Sequence, residues 1–480
     1  LSIRLADLPG LRVTVMGLGL HGGGLASALF FARHGARVTV TDNRGDPSVF
    51  EAALAQLRPL GVRTVLGRHE PEDFQEAELV LKNPAVPPTS PFLRLASSKG
   101  VPIETDLSVF LQLCANPLVG VTGSKGKSTT AAAIHSCLAP VFPGARLGGN
   151  ITVSPLSFLE GLEPRDPVVL ELSSWQLADL RGRGLLDPKV AVLTVILPDH
   201  QDRYPDMSHY IADKRVLFES QSAAGYAVLN RDDPLQEQMA KGLPGQLRWF
   251  SRRPLPAGLK GAFLEGPRAL LRCRSRAVAL ALGALAVPGE HNRLNLLAAA
   301  LACRLLGLPP GQIVAALRGF RGVEHRLELV AEVGGVRYYN DSAATIPEAT
   351  AAGLRSLEPP LLLITGGTDK KLDFRPLLAE IHRAKAVLLL AGSGTDKIAA
   401  LLSAEGIPYA GPFPNLERTL EEARRRAAPG DTVLFSPACA SFELFLNEFD
   451  RGRRFKELVG RLGRLRQGGP DFPGSDDTAR

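Results

Sequence analysis

The segment Thr122-Gly-Ser-Lys-Gly-Lys-Ser-Thr129 carries the residue types that a phosphate cradle needs. Gly123 and Gly126 let backbone N–H groups converge around Ser124 and Lys125, and Lys127 adds a point charge. Ser128 and Thr129 bring hydroxyls that can reach a divalent cation on the phosphates. Leu118, Val119 and Val121 read as a short buried strand before the loop. An Ala-rich run with no breaker before Pro140 reads as a helix after it, with its positive end aimed at the anion. The full P-loop spacing is not met, because Val121 stands at the first glycine position. The bland alternative is a glycine turn with a solvated lysine.

Other polar residues fall at the ends of apolar runs. Val168–Glu171 reads as a strand delivering Glu171, and Val190–Val195 as one delivering Asp199 and His200. Carboxylate and imidazole at the carboxyl ends of strands lie at the usual ligand crevice of an α/β sheet. Glu171 and His200 are therefore metal-ligand candidates, against the plainer reading of a loop carboxylate and a capping histidine. Lys214 rides an amphipathic helix, Tyr210–Phe218, where a single lysine is ordinarily solvated. Asn292 and Asn295 share one face of a helix opened by Gly289; capping accounts for Asn292 more easily than for Asn295.

Near the start, Gly17-Leu-Gly19-Leu20-His21-Gly22 lies between a strand at Arg12–Met16 and a helix running through His34. Asp42 and Arg44 follow the next strand. This is the dinucleotide fingerprint, and alone it would predict an NAD-dependent oxidoreductase. The glycines, however, report only a diphosphate or a tight turn at a helix N-terminus, which a nucleotide-sugar diphosphate satisfies equally.

These residues need elements to hold them, and 480 residues suffice for about three domains. Strand and helix signals alternate throughout, so the fold class is α/β. Boundaries are expected at 1–105, 106–322 and 323–466, with a disordered Gly/Pro/Asp-rich tail at 467–480. The third segment carries strands at Arg337–Asn340, Leu361–Thr365, Ala386–Ala391 and Thr432–Ser436, read as a second open parallel sheet with polar strand ends. No apolar run reaches the ~18 residues of a membrane span. Leu1–Val13 has no export-type apolar region, so a cytoplasmic location is expected. Five scattered cysteines without C-x-x-C argue for reduced thiols and against zinc. The net charge of +7 includes surface-like arginines at Arg424–Arg426 and Arg451–Arg454 and suits anionic small substrates.

With these pieces placed, the chain resembles the Mur ligase family of peptidoglycan synthesis over nearly its whole length. The resemblance rests on GLGLHG (17–22), TGSKGKST (122–129), GGN (148–150), ELSSWQL (171–177), DHQDRYP (199–205), YIADK (210–214), GEHNRLN (289–295), HRLE (325–328), NDSAAT (340–345), GGTDKKLDF (366–374) and SPACAS (436–441). It implies a Rossmann-like N-terminal domain, a P-loop-type central ATPase domain and a Rossmann-like C-terminal domain. The implied activity is ATP-dependent addition of D-glutamate to UDP-N-acetylmuramoyl-L-alanine through an acyl phosphate. A sibling activity with L-glutamate or another amino acid is the near alternative.

By the same resemblance, Gly17, Gly19, Leu20, His21, Gly22, Asp42, Arg44 and Asn150 would contact the UDP-sugar. The loop residues 123–129 with Asn292, Asn295, His325, Arg326 and Asp341 would hold ATP. Thr345, Lys370 and Ser441 would grip the amino acid. Ser128, Glu171, His200 and a carbamoylated Lys214 would carry Mg2+ at two sites, with Lys127, His200 and Lys214 catalytic. A monomer acting on small molecules, with neither nucleic-acid nor membrane partner, is implied. The family usually has Asn where Lys125 stands and Lys where Ala343 stands. These departures leave the reaction class intact and the stereochemistry of the glutamate open.

Overall fold

The computed structural model describes residues 3–465 apart from 20–21, 152, 199–203, 267, 273–277, 281–286 and 370–371. The expectations for Leu20, His21, His200, Lys370 and the 467–480 tail lie outside the described residues. The chain is a three-domain α/β protein with one sheet per domain. The first two sheets belong to one compact unit, Leu1–Ala284 with Leu294–Gly319; the third belongs to another, Leu285–Arg293 with Phe320–Arg480.

The first sheet is parallel throughout, in the order Arg63–Leu66, Arg37–Asp42, Arg12–Met16, Leu79–Lys82, Ile103–Glu104. Val13, Val15, Val40, Leu79 and Leu81 are buried in it, the β-branched and leucine-rich pattern of strands covered on both faces. The strand order reverses between Arg12–Met16 and Leu79–Lys82. The loops leaving these two neighbours therefore flank the crevice where such sheets bind ligands.

The nine-stranded central sheet places Leu118–Thr122 between Val190–Leu193 and Val168–Glu171, all parallel. Three adjacent strand ends thus present the glycine loop, Thr194 and Glu171 side by side. The Val190 strand ends at Leu193, two residues short of the expected end, and just beyond it the Thr194 hydroxyl donates to the Lys125 carbonyl at 2.5 Å. Gly120 lets the helix Met207–Glu219 press onto the strand: a Cβ there would meet Leu217 Cδ1 at 2.4 Å.

The third sheet runs Glu328–Val333, Val336–Asn340, Thr432–Phe435, Leu361–Thr365, Ala384–Leu390, Ala410–Phe413. It is not wholly parallel, as the sequence pattern suggested. Its first two strands form an antiparallel hairpin over Gly334-Gly335, with φ of 63° and 75°. Two successive left-handed residues make the turn whose twist matches a two-residue hairpin.

In the N-terminal loop the glycine that permits close approach is Gly24, two residues past the fingerprint. A Cβ on Gly24 would lie 2.2 Å from the Gly17 carbonyl oxygen and 2.6 Å from that of Leu18. Gly22 has φ 82° but open space around it. Gly24→Ala is expected to lower stability by about 1–3 kcal/mol through overpacking. Gly22→Asn, compatible with a left-handed backbone, should cost less. Urea unfolding of the two variants checks this, and a Gly24→Ala protein as stable as wild type would contradict it.

Candidate active site

The strand Leu118–Thr122 is fully buried and releases the chain into Gly123–Gly126, after which the helix Lys127–Leu138 begins. Gly123 (φ 146°) and Gly126 (φ 86°) shape the loop, and neither leaves room for a side chain. A Cβ on Gly123 would fall 1.9 Å from Thr194 Oγ1, and one on Gly126 2.4 Å from Asn295 Oδ1. The buried Ser124 hydroxyl fastens the loop from below. It donates to the Leu197 carbonyl at 2.9 Å and accepts from the Leu197 N–H at 2.9 Å and the Tyr210 hydroxyl at 3.0 Å. Lys125 is exposed, and Ser128 and Thr129 are buried in the first helical turn.

Two ammonium groups converge on this loop. Lys127 Nζ donates to the Gly123 carbonyl at 2.8 Å and the Ser124 carbonyl at 3.0 Å; Lys214 Nζ donates to the same Gly123 carbonyl at 3.0 Å. Lys214 is only 1% exposed and lies 4.3 Å from the Tyr210 ring centroid, so the plain expectation of a solvated helical lysine is wrong. The tight helix–strand contact at Gly120 carries it inward. Like charges sharing one acceptor repel, and a polyanion bound at the helix N-terminus relieves that repulsion.

Glu171 ends its strand buried. Its Oε1 accepts from Asn150 Nδ2 at 2.8 Å, whereas its equally buried Oε2 has no hydrogen-bond partner among the described residues. The Gly149–Asn150 turn wraps this strand end: the Asn150 N–H donates to the Glu171 carbonyl at 2.8 Å, and a Cβ on Gly149 would clash with that oxygen at 2.2 Å. A buried carboxylate oxygen left bare costs roughly 1–3 kcal/mol. Among the described residues no group of three or more His, Cys, Asp or Glu could hold a metal. A hard cation that takes one or two protein oxygens and completes its shell with phosphate does not require such a group. The bare Oε2 of Glu171 and the hydroxyl of Ser128 suit that cation, so the residues present fit Mg2+.

In the N-terminal sheet, Asp42 is tied up by backbone. Its carboxylate accepts the N–H of Gly19 at 3.2 Å and that of Arg44 at 3.0 Å, locking the glycine loop to the neighbouring strand end. Gly17 and Gly19 are also bounded by Asn83, 3.1 and 2.9 Å from where their Cβ atoms would be. The sequence reading passed over His69, whose Nδ1 pairs with Thr41 Oγ1 at 2.8 Å and whose burial pushes its pKa down.

The C-terminal sheet gathers two loops, Asn340–Thr345 and Ser436–Ser441. Asp341 is buried, accepting from the Leu327 N–H at 3.1 Å and the Ser436 hydroxyl at 2.8 Å; burial pushes its pKa up to about 7. His325, also buried and with φ 64°, pairs its Nδ1 with Asn340 Nδ2 at 2.8 Å, and burial lowers its pKa. Arg326 is exposed, Thr345 is half-buried, and the buried Ser441 hydroxyl has no hydrogen-bond partner among the described residues. Arg451, read from sequence as a surface arginine, is completely buried and bonded to both loops. Its position inside the helix Glu448–Leu465 gave no signal of that. Asn292 bonds the Pro288 carbonyl through Nδ2 at 2.6 Å and belongs to the same unit as Asp341; Asn295 belongs to the unit of the glycine loop.

Three family models match successive parts of the chain. They are the Mur ligase MurD-like N-terminal domain over residues 11–105, the Mur ligase middle domain over 121–303 and the Mur ligase glutamate ligase domain over 325–439. A UDP-N-acetylmuramoylalanine--D-glutamate ligase from Roseiflexus sp. (strain RS-1) is 44% identical over 463 residues, 94% of this chain and 99% of the relative. A protein of the same name from Treponema pallidum (strain Nichols) is 40% identical, covering 95% and 98%. Among solved structures, UDP-N-acetylmuramate-alanine ligase from Thermotoga maritima matches with a TM-score of 0.62 at 20% identity, covering 94% of this chain and 99% of that one. MurF ligase from Thermotoga maritima in complex with ADP matches at 0.57 and 18%, covering 96% and 97%. The two structures speak for the fold.

The Asp341 carboxyl gives a pH signature. An acid whose pKa rises on folding, here from 3.8 to about 7, stabilises the fold fully below the lower value and loses that contribution as pH climbs through the higher. Asp341→Asn, which cannot ionise, should therefore gain on wild type by about 2–4 kcal/mol between pH 4 and pH 8. Urea unfolding across that range reads it; a stability difference independent of pH would contradict it.

Proposed function

We infer that this chain, which belongs to the Mur ligase family, is an ADP-forming ligase that joins D-glutamate to UDP-N-acetylmuramoyl-L-alanine in peptidoglycan precursor synthesis. The observation that carries the reading is the agreement of relatives of that name along 94–95% of the chain. The site chemistry supports it: two lysines and a half-satisfied buried carboxylate stand around one glycine loop.

A carboxylate oxygen is a poor leaving group, so amide formation begins by activating it. The substrate carboxylate attacks the γ-phosphorus of ATP, the bond to the β,γ-bridging oxygen breaks, and ADP leaves with that electron pair. The amine nitrogen of the acceptor then attacks the acyl carbon, and phosphate departs as the tetrahedral adduct collapses with loss of the amine proton. Two anions must approach each other in the first step. Lys127 meets the developing negative charge from the first turn of the helix, while the loop N–H groups orient the phosphates. Mg2+, held through Glu171, Ser128 and the family's His200, would neutralise phosphate charge. The finer reading adds a carbamate on Lys214, which would turn this buried cation into a second metal ligand.

On this reading the domains are 1–105 for the UDP-sugar, 106–322 for ATP and 323–466 for the amino acid. Gly17, Gly19, Gly22, Asp42, Arg44 and Asn150 serve the sugar nucleotide. Asn292, Asn295, His325, Arg326 and Asp341 serve the nucleoside of ATP, and Thr345 and Ser441 serve the acceptor. No described helix is long and apolar enough to cross a membrane.

The test is ADP release with UDP-N-acetylmuramoyl-L-alanine and a panel of D- and L-amino acids. D-Glutamate is expected to drive release, and stimulation by L-glutamate instead would move the chain to a sibling activity. Lys127→Ala should lose about 10³-fold in rate, near 4 kcal/mol of transition-state stabilisation, with the fold retained. Substantial ATP-dependent turnover in that variant would contradict the assignment. In the same assay Lys214→Ala should regain activity with added small carboxylates if the carbamate forms; no such rescue removes it.

A further inference from the structure

Among the described residues Arg451 is the largest completely buried side chain, and nothing in the proposed reaction uses it. From the helix Glu448–Leu465 its guanidinium makes four hydrogen bonds. Nε donates to Ser342 Oγ at 3.0 Å, Nη2 to the Ser342 carbonyl at 2.8 Å, and Nη1 to the carbonyls of Cys439 at 3.1 Å and Ala440 at 3.0 Å. One planar fork thus ties the loop that runs on to Thr345 to the loop that ends at Ser441. A third loop closes over it. Thr368 and Ala440 exchange two backbone hydrogen bonds of 3.0 Å, and a Cβ on Gly367 would stand 2.6 Å from the Ala440 oxygen and 3.5 Å from Arg451 Nη1.

Two features distinguish this from a spacer that merely fills the core. All four hydrogen-bond acceptors are neutral, and among the described residues Arg451 makes no ion pair; the nearby charge that offsets its own is Glu448, beyond ion-pair distance. Burial lowers its pKa to about 10, which still leaves it a cation at neutral pH. Burying an unpaired guanidinium is expensive, and an apolar side chain would fill the same space at lower cost. Beside the Arg451-bonded carbonyls, the next residue is Ser441, with its buried, unpartnered hydroxyl, and Ala438 holds a left-handed φ of 58° that sets the direction of the turn.

We propose that Arg451 is the positioning residue of the amino-acid site: it holds the 342–345 and 439–441 loops in register and supplies the fixed positive charge that biases this end of the protein toward a dicarboxylate amino acid. The proposal rests on the ligase reading and names the residue that sets its acceptor affinity. Arg451 touches no substrate; it acts through the two loops and through its field. Lysine keeps the charge but cannot reproduce the planar fork, and methionine keeps the apolar stem and loses both.

The experiment is steady-state kinetics of ADP release for the full chain as wild type, Arg451→Lys and Arg451→Met, varying each substrate in turn, with urea unfolding in parallel. The expected result is a KM for D-glutamate raised at least 30-fold in Arg451→Met and by a smaller factor in Arg451→Lys. The KM values for ATP and the sugar peptide, and kcat, should move less than threefold. Unchanged D-glutamate KM in either folded variant overturns the proposal, as does a parallel rise in all three KM values. Should Arg451→Met fail to fold, Arg451→Lys and Ser342→Ala, which removes the Nε acceptor together with the Ser342 hydroxyl's bond to the Glu448 carbonyl, carry the same comparison. Wild type that releases no ADP in response to any amino acid would instead overturn the ligase reading, and this proposal with it.

Discussion

Two ammonium groups bonded to a single carbonyl oxygen, that of Gly123, are the arrangement on which the central domain turns. At ~4 Å and an effective dielectric of ~20, two like charges repel by about 4 kcal/mol, so holding Lys127 and Lys214 together needs a rigid scaffold or an anion between them. The scaffold is visible in the Ser124 hydroxyl pinned to Leu197 and Tyr210, in Thr194 bonded to the Lys125 carbonyl, and in the absence of space for any side chain at Gly123 and Gly126. The anion is what the helix N-terminus is shaped to receive. Glu171, with one oxygen satisfied by Asn150 and the other without a partner among the described residues, is the group that the proposed reading assigns to a cation.

The same construction recurs in each sheet, with different means of fastening the loop at the strand end. In the N-terminal sheet Asp42 accepts two backbone N–H groups and draws the glycine turn against its neighbour. In the C-terminal sheet a buried arginine performs the fastening by donating to carbonyls instead. Parallel strands deliver polar ends to one edge, but strand ends alone are mobile. A buried ion or a shared hydroxyl converts them into a fixed array, and preorganisation of that kind is what makes charges effective in stabilising a transition state.

Much of this was legible before any coordinates. The glycine loop, the strand that carries Glu171 and the fingerprint near Gly17 announce themselves because they depend on neighbours in sequence: β-branched run, glycine, helix. What stayed hidden depends on contacts across long sequence separations. Lys214 is buried on a helix that Gly120, far back in the chain, lets approach the strand. Arg451 sits in a helix rich in exposed arginines, and only its bonds to Ser342 and Cys439 set it apart. Gly24 has the conformation of an ordinary helical residue, and its need for hydrogen in place of a methyl comes from the carbonyls of Gly17 and Leu18. The antiparallel edge could have been read from Gly334-Gly335, a hairpin signal that the alternation of strands and helices outweighed.

On the ligase reading, the central glycine loop serves one chemical event, the proposed transfer of a phosphoryl group to a carboxylate before any amine arrives. Positional isotope exchange measures that event directly. ATP carrying heavy oxygen in the β,γ-bridge is incubated with the protein, Mg2+ and UDP-N-acetylmuramoyl-L-alanine, with no amino acid present. The account predicts that the label scrambles into the β-nonbridging positions, and only when the sugar peptide is there. A protein that turns over once D-glutamate is added, yet leaves the bridge label in place without it, would contradict it.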